Sequence, residues 1–243
     1  MQTNMLRQII HSFDSAILTF LTHDALHSET SGHAISHVAD FYLFKGVVPL
    51  AMLCAIWFDT RERRQWQREM VVATIVSGLL ALLIGRVLAH YLPFRQRPLY
   101  DSSLLLTFPL AASPEAVLRT WSSFPSDHAM LWAAVAMGIF LVSRWMCVLA
   151  LLQCVFLICL PRVYLGLHYP SDVLAGMLLG VGVTCVVTRK PVMERFAPAI
   201  VRLIDRYPNV SYAGMFVILF ELATTFDEPR ELAQSIFRHV LHG

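Results

Sequence analysis

Charge is scarce in this sequence. Of its 243 residues only 15% are Asp, Glu, Lys or Arg, while 56% are hydrophobic. Soluble domains carry about 25% charged residues. With a mean hydropathy of +0.58, the chain reads as a membrane protein. No basic stripe accompanies the net charge of +2, which argues against a nucleic-acid partner. No CxxC pair occurs either. Cys54, Cys147, Cys154, Cys159 and Cys185 all fall inside apolar runs, where cysteine acts as a small buried hydrophobe. Neither a disulfide framework nor a zinc site is implied. The N-terminus lacks a basic start, a continuous apolar core and a small-residue cleavage site, so it does not read as a cleaved signal. Repeats and low-complexity tracts are absent too.

Helical spacing takes the place of these features. Ile9, Ile10, Phe13, Ile17, Phe20 and Leu21 recur on one side of an N-terminal segment, with Ser12, Ser15, Thr19 and Thr22 on the other. This predicts an amphipathic helix, lying in the membrane interface or packed on the bundle, within an N-terminal segment over 1–34. A membrane domain is expected over 35–226 and a tail over 227–243. Apolar runs cover roughly 41–58, 70–92, 127–143, 145–160, 172–187 and 213–226. A spanning helix needs about 17–25 residues. The expected fold is therefore an all-α integral membrane helical bundle of five or six transmembrane helices, with the run containing Glu221 the least typical.

Basic residues orient the bundle. Arg61, Arg63, Arg64 and Arg68 follow the first run, Arg144 follows the third, and Arg189, Lys190, Arg195, Arg202 and Arg206 follow the fifth. Alternating crossings put these loops on one side, the cytoplasmic one by the positive-inside rule. The 93–126 and 161–171 loops then face outward. They hold a polar set that includes Arg97-Pro98, Phe124-Pro125-Ser126-Asp127-His128, Arg162, His168 and Asp172.

That set suits phosphoryl transfer. Arg97 and Arg162 offer forked cationic donors to phosphate oxygens. Ser126 stands where a helix should begin, able to cap it or to bind the phosphate at a helix N-terminus. Imidazole serves as nucleophile or proton donor near neutral pH. Asp172, four residues after His168, can hold one ring nitrogen and leave the other to attack. His128 is then the general acid.

These residues resemble the type 2 phosphatidic-acid phosphatase superfamily, which includes bacterial undecaprenyl-pyrophosphate phosphatases and the vanadium haloperoxidases. The family pattern Lys-x6-Arg-Pro, Pro-Ser-Gly-His and Ser-Arg-x5-His-x3-Asp is matched by His90-x6-Arg97-Pro98, Pro125-Ser126-Asp127-His128 and Pro161-Arg162-x5-His168-x3-Asp172. The resemblance covers about residues 86 to 180. It implies His168 as phosphohistidine nucleophile, Asp172 as its orienter and His128 as acid, with Arg97, Arg162 and Ser126 on the phosphate and no cofactor or metal. His90 replaces the family Lys; a protonated His90, or Arg95 or Arg86, would have to supply its charge. Asp127 replaces Gly: its N–H can still bind phosphate, while its carboxylate should point away or toward the leaving group. Pro161 replaces Ser.

The expected substrate is a lipid phosphate, polyprenyl (undecaprenyl) pyrophosphate ahead of phosphatidic acid, phosphatidylglycerol phosphate or lipid A. The expected place is the bacterial inner membrane, with the site facing the periplasm or exterior. The alternatives are a lipid phosphotransferase and a lipid-binding or transport protein with a relict site. Haloperoxidase chemistry fits the apolar spans poorly. Elsewhere, His23, His27, His33 and His37 form a spaced set with metal-ligand potential, more typical of a polar loop. Gly176-x3-Gly180 reads as a close-packing motif. Lys45 is expected to snorkel, Pro49 to kink its helix, and most of the five tryptophans to anchor span ends.

Overall fold

The computed structural model describes residues 2–25, 35, 39, 41, 46–60, 63–108 and 119–226. The 227–243 tail, Lys45, His27, His33, His37 and the side chain of His23 lie outside the described set. All regular structure among the described residues is helical. We number the helices α1 (Gln2–Thr19, continued by a π turn over Phe20–Ala25), α2 (Val48–Trp57), α3 (Arg64–Tyr91), α4 (Asp127–Val142), α5 (Arg144–Tyr164), α6 (Pro170–Val187), α7 (Lys190–Arg206) and α8 (Pro208–Ala223). The helices α3, α5 and α6 are long and apolar enough to cross a membrane, while α2, α4 and α8 are shorter apolar helices.

Helix α4 is apolar all round and sits at the centre. Each residue from Ala129 to Ala136 is at most 1% exposed, as expected of a helix surrounded by others. Its small residues let α3 and α6 approach closely. A Cβ on Gly180 would stand 2.1 Å from the Met130 carbonyl oxygen, and one on Gly176 would stand 2.6 Å from that of Ser126. The Gly176-x3-Gly180 spacing therefore seats α6 backbone against α4 backbone. Gly180→Ala is expected to cost about 1–3 kcal/mol or more through overpacking, read as a lower melting temperature in detergent. Gly182→Ala, where a Cβ meets nothing within 4 Å, should leave it unchanged.

Several expectations are corrected. The 145–160 run grows into α5, whose π-helical stretch Gln153–Cys159 carries the chain on through Pro161. The register shift that ends a π segment leaves a backbone N–H without its helical acceptor, a position proline tolerates. Arg162 is thus on the last helical turn rather than in a loop. The basic segment after α6 is itself a helix, α7. It buries Met193, Ala197, Val201 and Ile204, a stripe too narrow to raise its mean hydropathy. Pro49 is the second residue of α2, preceded by π-helical Gly46 and Val47. Trp57 and Trp132 are each 1% exposed and belong to the core rather than the interface. All five thiols are free, but Cys185 is exposed rather than buried.

The two ends of the bundle are held differently. At one end Arg68 forks onto Asp205 of α7 at 2.8 and 3.2 Å and lies over the Trp57 ring at 4.2 Å. Trp57 Nε1 also donates to the Tyr212 hydroxyl of α8. At the other end Arg86 of α3 donates to the Thr225 carbonyl at 2.6 Å, just beyond α8. The 213–226 run therefore traverses the height of the bundle. Helix α1 docks through Asp14, Leu18 and Leu21 and exposes Met5, Leu6, Ile9, Ile10, Phe13 and Phe20. Its docking face carries a carboxylate, while its apolar face points outward.

Candidate active site

The polar residues singled out in the sequence converge at the end of the bundle opposite Arg68. The ends of α3 and α5 meet the starts of α4 and α6 there. After α3 the extended segment through Arg97 leads into a 3-10 turn at Pro98–Tyr100. Arg97 is 8% exposed and donates to the Leu167 carbonyl at 2.8 Å. Its Nη1 lies 3.5 Å from His168 Nε2. After α5 the chain reverses through Gly166, whose φ of +70° is one that side chains with a Cβ rarely adopt. The Gly166 carbonyl accepts from Leu99 N–H at 2.9 Å, tying the two loops together.

His168 is 3% exposed, and its Nδ1 is 2.7 Å from the Ser123 carbonyl oxygen. A carbonyl only accepts, so Nδ1 carries the proton and Nε2 keeps its lone pair. Burial, then the Arg97 and Arg162 charges, hold the imidazole well below its usual pKa. It is the neutral ring that faces Arg97. The direct Asp172–His168 bond expected from the sequence is replaced by an indirect one. Asp172 accepts from the Tyr169 N–H at 2.9 Å, from the Ser123 hydroxyl and from Arg95. Pro170 begins α6, which puts Asp172 at the third helical position, where a carboxylate turns back to the cap. Ser123 bridges the pair, its hydroxyl on Asp172 and its carbonyl on His168.

His128 has its own carboxylate. Asp127 Oδ1 is 2.8 Å from both the His128 ring Nδ1 and the His128 backbone N–H. Its other oxygen is 3.9 Å from Arg86 Nε. The residue replacing the family glycine thus orients the second histidine. Ser126 is fully buried and caps α4, accepting from Ala129 N–H at 3.5 Å. His90 is not drawn into the cluster. Gly85 is level with Asp127, since a Cβ there would lie 3.3 Å from the Asp127 Cα. His90 is therefore about 7.5 Å further along the axis. It packs edge-on against Tyr91 at 5.0 Å and lines a separate cavity of about 130 Å³ with Leu92, Phe94 and Trp121.

The two histidines thus differ in environment, and Arg97 and Arg162 both act on His168. The chain matches the PAP2 superfamily over residues 69–196. It belongs to that superfamily. The undecaprenyl-diphosphatase of Sulfolobus acidocaldarius is 33% identical over 134 residues, 55% of this chain and 57% of that protein. The decaprenylphosphoryl-5-phosphoribose phosphatase of Mycobacterium tuberculosis is 31% identical over 65% of this chain and 77% of its own length. The chain spans under two thirds of the length of the Sulfolobus relative. The crystal structure of a transmembrane PAP2 type phosphatidylglycerolphosphate phosphatase from Bacillus subtilis shares the fold. Its TM-score is 0.51 at 23% identity, over 77% of this chain and 88% of that one.

The PAP2 match leaves α1 outside it, and with it a residue that motif reading missed. Asp14 is 1% exposed and contacts both Arg95 and Ser171. An acidic residue among Ile10, Phe13 and Ile17 was the available signal. Arg95, one of the two arginines the sequence offers in place of the family Lys, is instead held by Asp14 and Asp172. Arg86 stands beside Asp127, on which Arg162 also acts.

Proposed function

We propose that this PAP2 protein is an integral membrane phosphatase acting on a polyprenyl (undecaprenyl) pyrophosphate or related lipid phosphate. The observation that carries the reading is His168, with Nδ1 on the Ser123 carbonyl and Nε2 3.5 Å from Arg97 Nη1. Nε2 attacks the terminal phosphorus and forms an N–P bond as the P–O bond to the lipid portion breaks. His128, held by Asp127, gives its Nε2 proton to the departing oxygen. Water then attacks the phosphohistidine, His128 takes the water proton, and inorganic phosphate leaves. Arg97 and Arg162 balance the charge on the phosphoryl oxygens.

Arg86 pairs with Asp127 and the Thr225 carbonyl, so Arg97 and Arg162 are the cations assigned to the phosphate, and a relict site would show as lipid binding without phosphate release. Five or six of the apolar helices α2–α6 and α8 cross the membrane, with α7 in the interface. The site lies at the end away from the basic loops, facing the periplasm or exterior of a bacterial inner membrane. The polyprenyl class is supported by the similarity to the Sulfolobus undecaprenyl-diphosphatase and the Mycobacterium decaprenylphosphoryl-5-phosphoribose phosphatase.

The test is phosphate release by the purified chain in detergent, on undecaprenyl pyrophosphate and phosphatidic acid side by side. Preference for the polyprenyl substrate supports the whole reading; preference for phosphatidic acid keeps the chemistry and overturns the substrate class. Release from neither, with transfer to an added acceptor, would make the protein a phosphotransferase.

A pH dependence follows. The attacking form of His168 is neutral, and its pKa is held well below the ordinary 6.5. The acid limb of kcat/KM set by His168 should therefore lie below pH 6.5. Arg97→Gln removes one of the cations and should move that limb upward. Stability has the matching sign. As pH falls, the unfolded histidine takes its proton first, so this contribution is present above about 6.5 and lost toward the folded value.

A further inference from the structure

Asp14 lies on a helix outside the family match and plays no part in the mechanism above, yet it is built into the rear of the site. A buried carboxylate persists only when paired and hydrogen-bonded. Asp14 Oδ1 accepts from the Ser171 N–H at 2.8 Å. Its Oδ2 accepts from the Ser171 hydroxyl and from Arg95 Nη2, each at 2.7 Å. Arg95 Nη1 holds Asp172, Asp172 holds the Ser123 hydroxyl, and the Ser123 carbonyl holds His168 Nδ1. An unbroken line of bonds, most of them charge-assisted, thus runs from α1 to the imidazole.

The Arg95 guanidinium explains why the far end matters. Its two Nη groups reach different carboxylates on different helices, and its side chain is 29% exposed. Without Asp14, Nη1 would keep Asp172 and the Ser171 hydroxyl and the guanidinium its seat over the Tyr169 ring, but the Nη2 tine would lose the carboxylate that holds it. Asp14 pins this second tine, so the fork that holds Asp172, and through it Ser123, is fixed at both ends. Docking of α1 does not need a charge, because Leu18 and Leu21 are already buried there.

We propose that Asp14 is a positioning residue for His168, acting through Arg95, Asp172 and Ser123, so that α1 completes the site. The proposal rests on His168 as the nucleophile.

The test uses the full chain in detergent with Asp14→Asn, Asp14→Glu and Leu18→Ala. Two quantities are measured: kcat and KM on undecaprenyl pyrophosphate, and solvent exchange of the His168 Nδ1–H by NMR of 15N-histidine protein. That resonance is assigned by its loss in His168→Ala. Asp14→Asn is expected to lower kcat about 10- to 100-fold, the scale of a small misplacement, with KM changed by less than about threefold. It should also speed Nδ1–H exchange at least about tenfold. Asp14→Glu keeps the charge and should fall between wild type and Asn. Leu18→Ala should lower the melting temperature and leave both readouts within about twofold.

Wild-type exchange in Asp14→Asn, or a Leu18→Ala protein that reproduces both effects, overturns the proposal. Should the Asn protein not fold, Asp14→Glu decides instead: faster exchange than Leu18→Ala supports the role, and unchanged exchange overturns it. If wild type hydrolyses no lipid, the functional reading fails, and the exchange readout still decides whether Asp14 holds the ring.

Discussion

His168→Ala is expected to abolish phosphate release from the lipid substrate, by roughly 10^4- to 10^6-fold, the range seen when a residue of a nucleophilic triad is removed. The effect is large because no neighbour can take over. His128 enters the step as the acid, with its Nε2 already carrying the proton it donates, and Arg97 and Arg162 have no lone pair to offer. Binding should survive better than turnover, since both arginines remain; KM is expected to change far less than kcat. The variant should still fold. His168 sits in a polar pocket between Ser123 and Arg97, where water can replace the ring and satisfy the groups it leaves. Phosphate release with thermal melting as the folding control checks both halves. Turnover within tenfold of wild type in a folded protein would sink the nucleophile assignment.

Arg95→Gln is expected to be the most destabilising single change at the site, costing about 3–5 kcal/mol. Asp14 and Asp172 have side chains only 2% and 0% exposed, and Arg95 is the cation they share. Its removal leaves two buried carboxylates facing each other across the vacated fork. Exposure of Arg95 itself places the expected cost toward the lower figure. Because Asp14 and Arg95 touch, their effects should not add. The Asp14→Asn and Arg95→Gln double variant should be more stable than Arg95→Gln alone, since one uncompensated charge is gone. Denaturation of the three proteins in one detergent measures the coupling. Additive losses would mean that the two side chains do not act as a pair.

Much of the site was legible because its motifs are local. Arg97-Pro98, the cap at Ser126 and the His168–Asp172 spacing each sit at the end of an apolar run, and run ends can be read from hydropathy. What each carboxylate binds was not legible. A spacing of four residues allowed Asp172 to reach His168, but Pro170 starts α6 between them and turns Asp172 to the Tyr169 cap. The sequence allowed the Asp127 carboxylate to point away from the phosphate or toward the leaving group; packing puts it on His128. His90 aligned with the family lysine, but α3 carries it a turn beyond the start of α4. Helix α7 is not legible from hydropathy because charged and apolar residues are mixed along it, and only the stripe from Met193 to Ile204 marks it.

The sequence by itself determined the solvent and the chemistry. Long apolar runs with few charges require helices in a membrane, since each backbone hydrogen bond must close within its own segment. The types and order of the residues in the three motifs point to phosphoryl transfer. Only the tertiary structure decided which charges meet. Asp14 and Arg95 are 81 residues apart and Arg95 and Asp172 are 77. No periodicity links positions that far apart. They pair because the glycines of α6 let it press against α4 and because α1 docks by the side that carries its acid. A buried carboxylate then takes whichever cation the packing brings within reach.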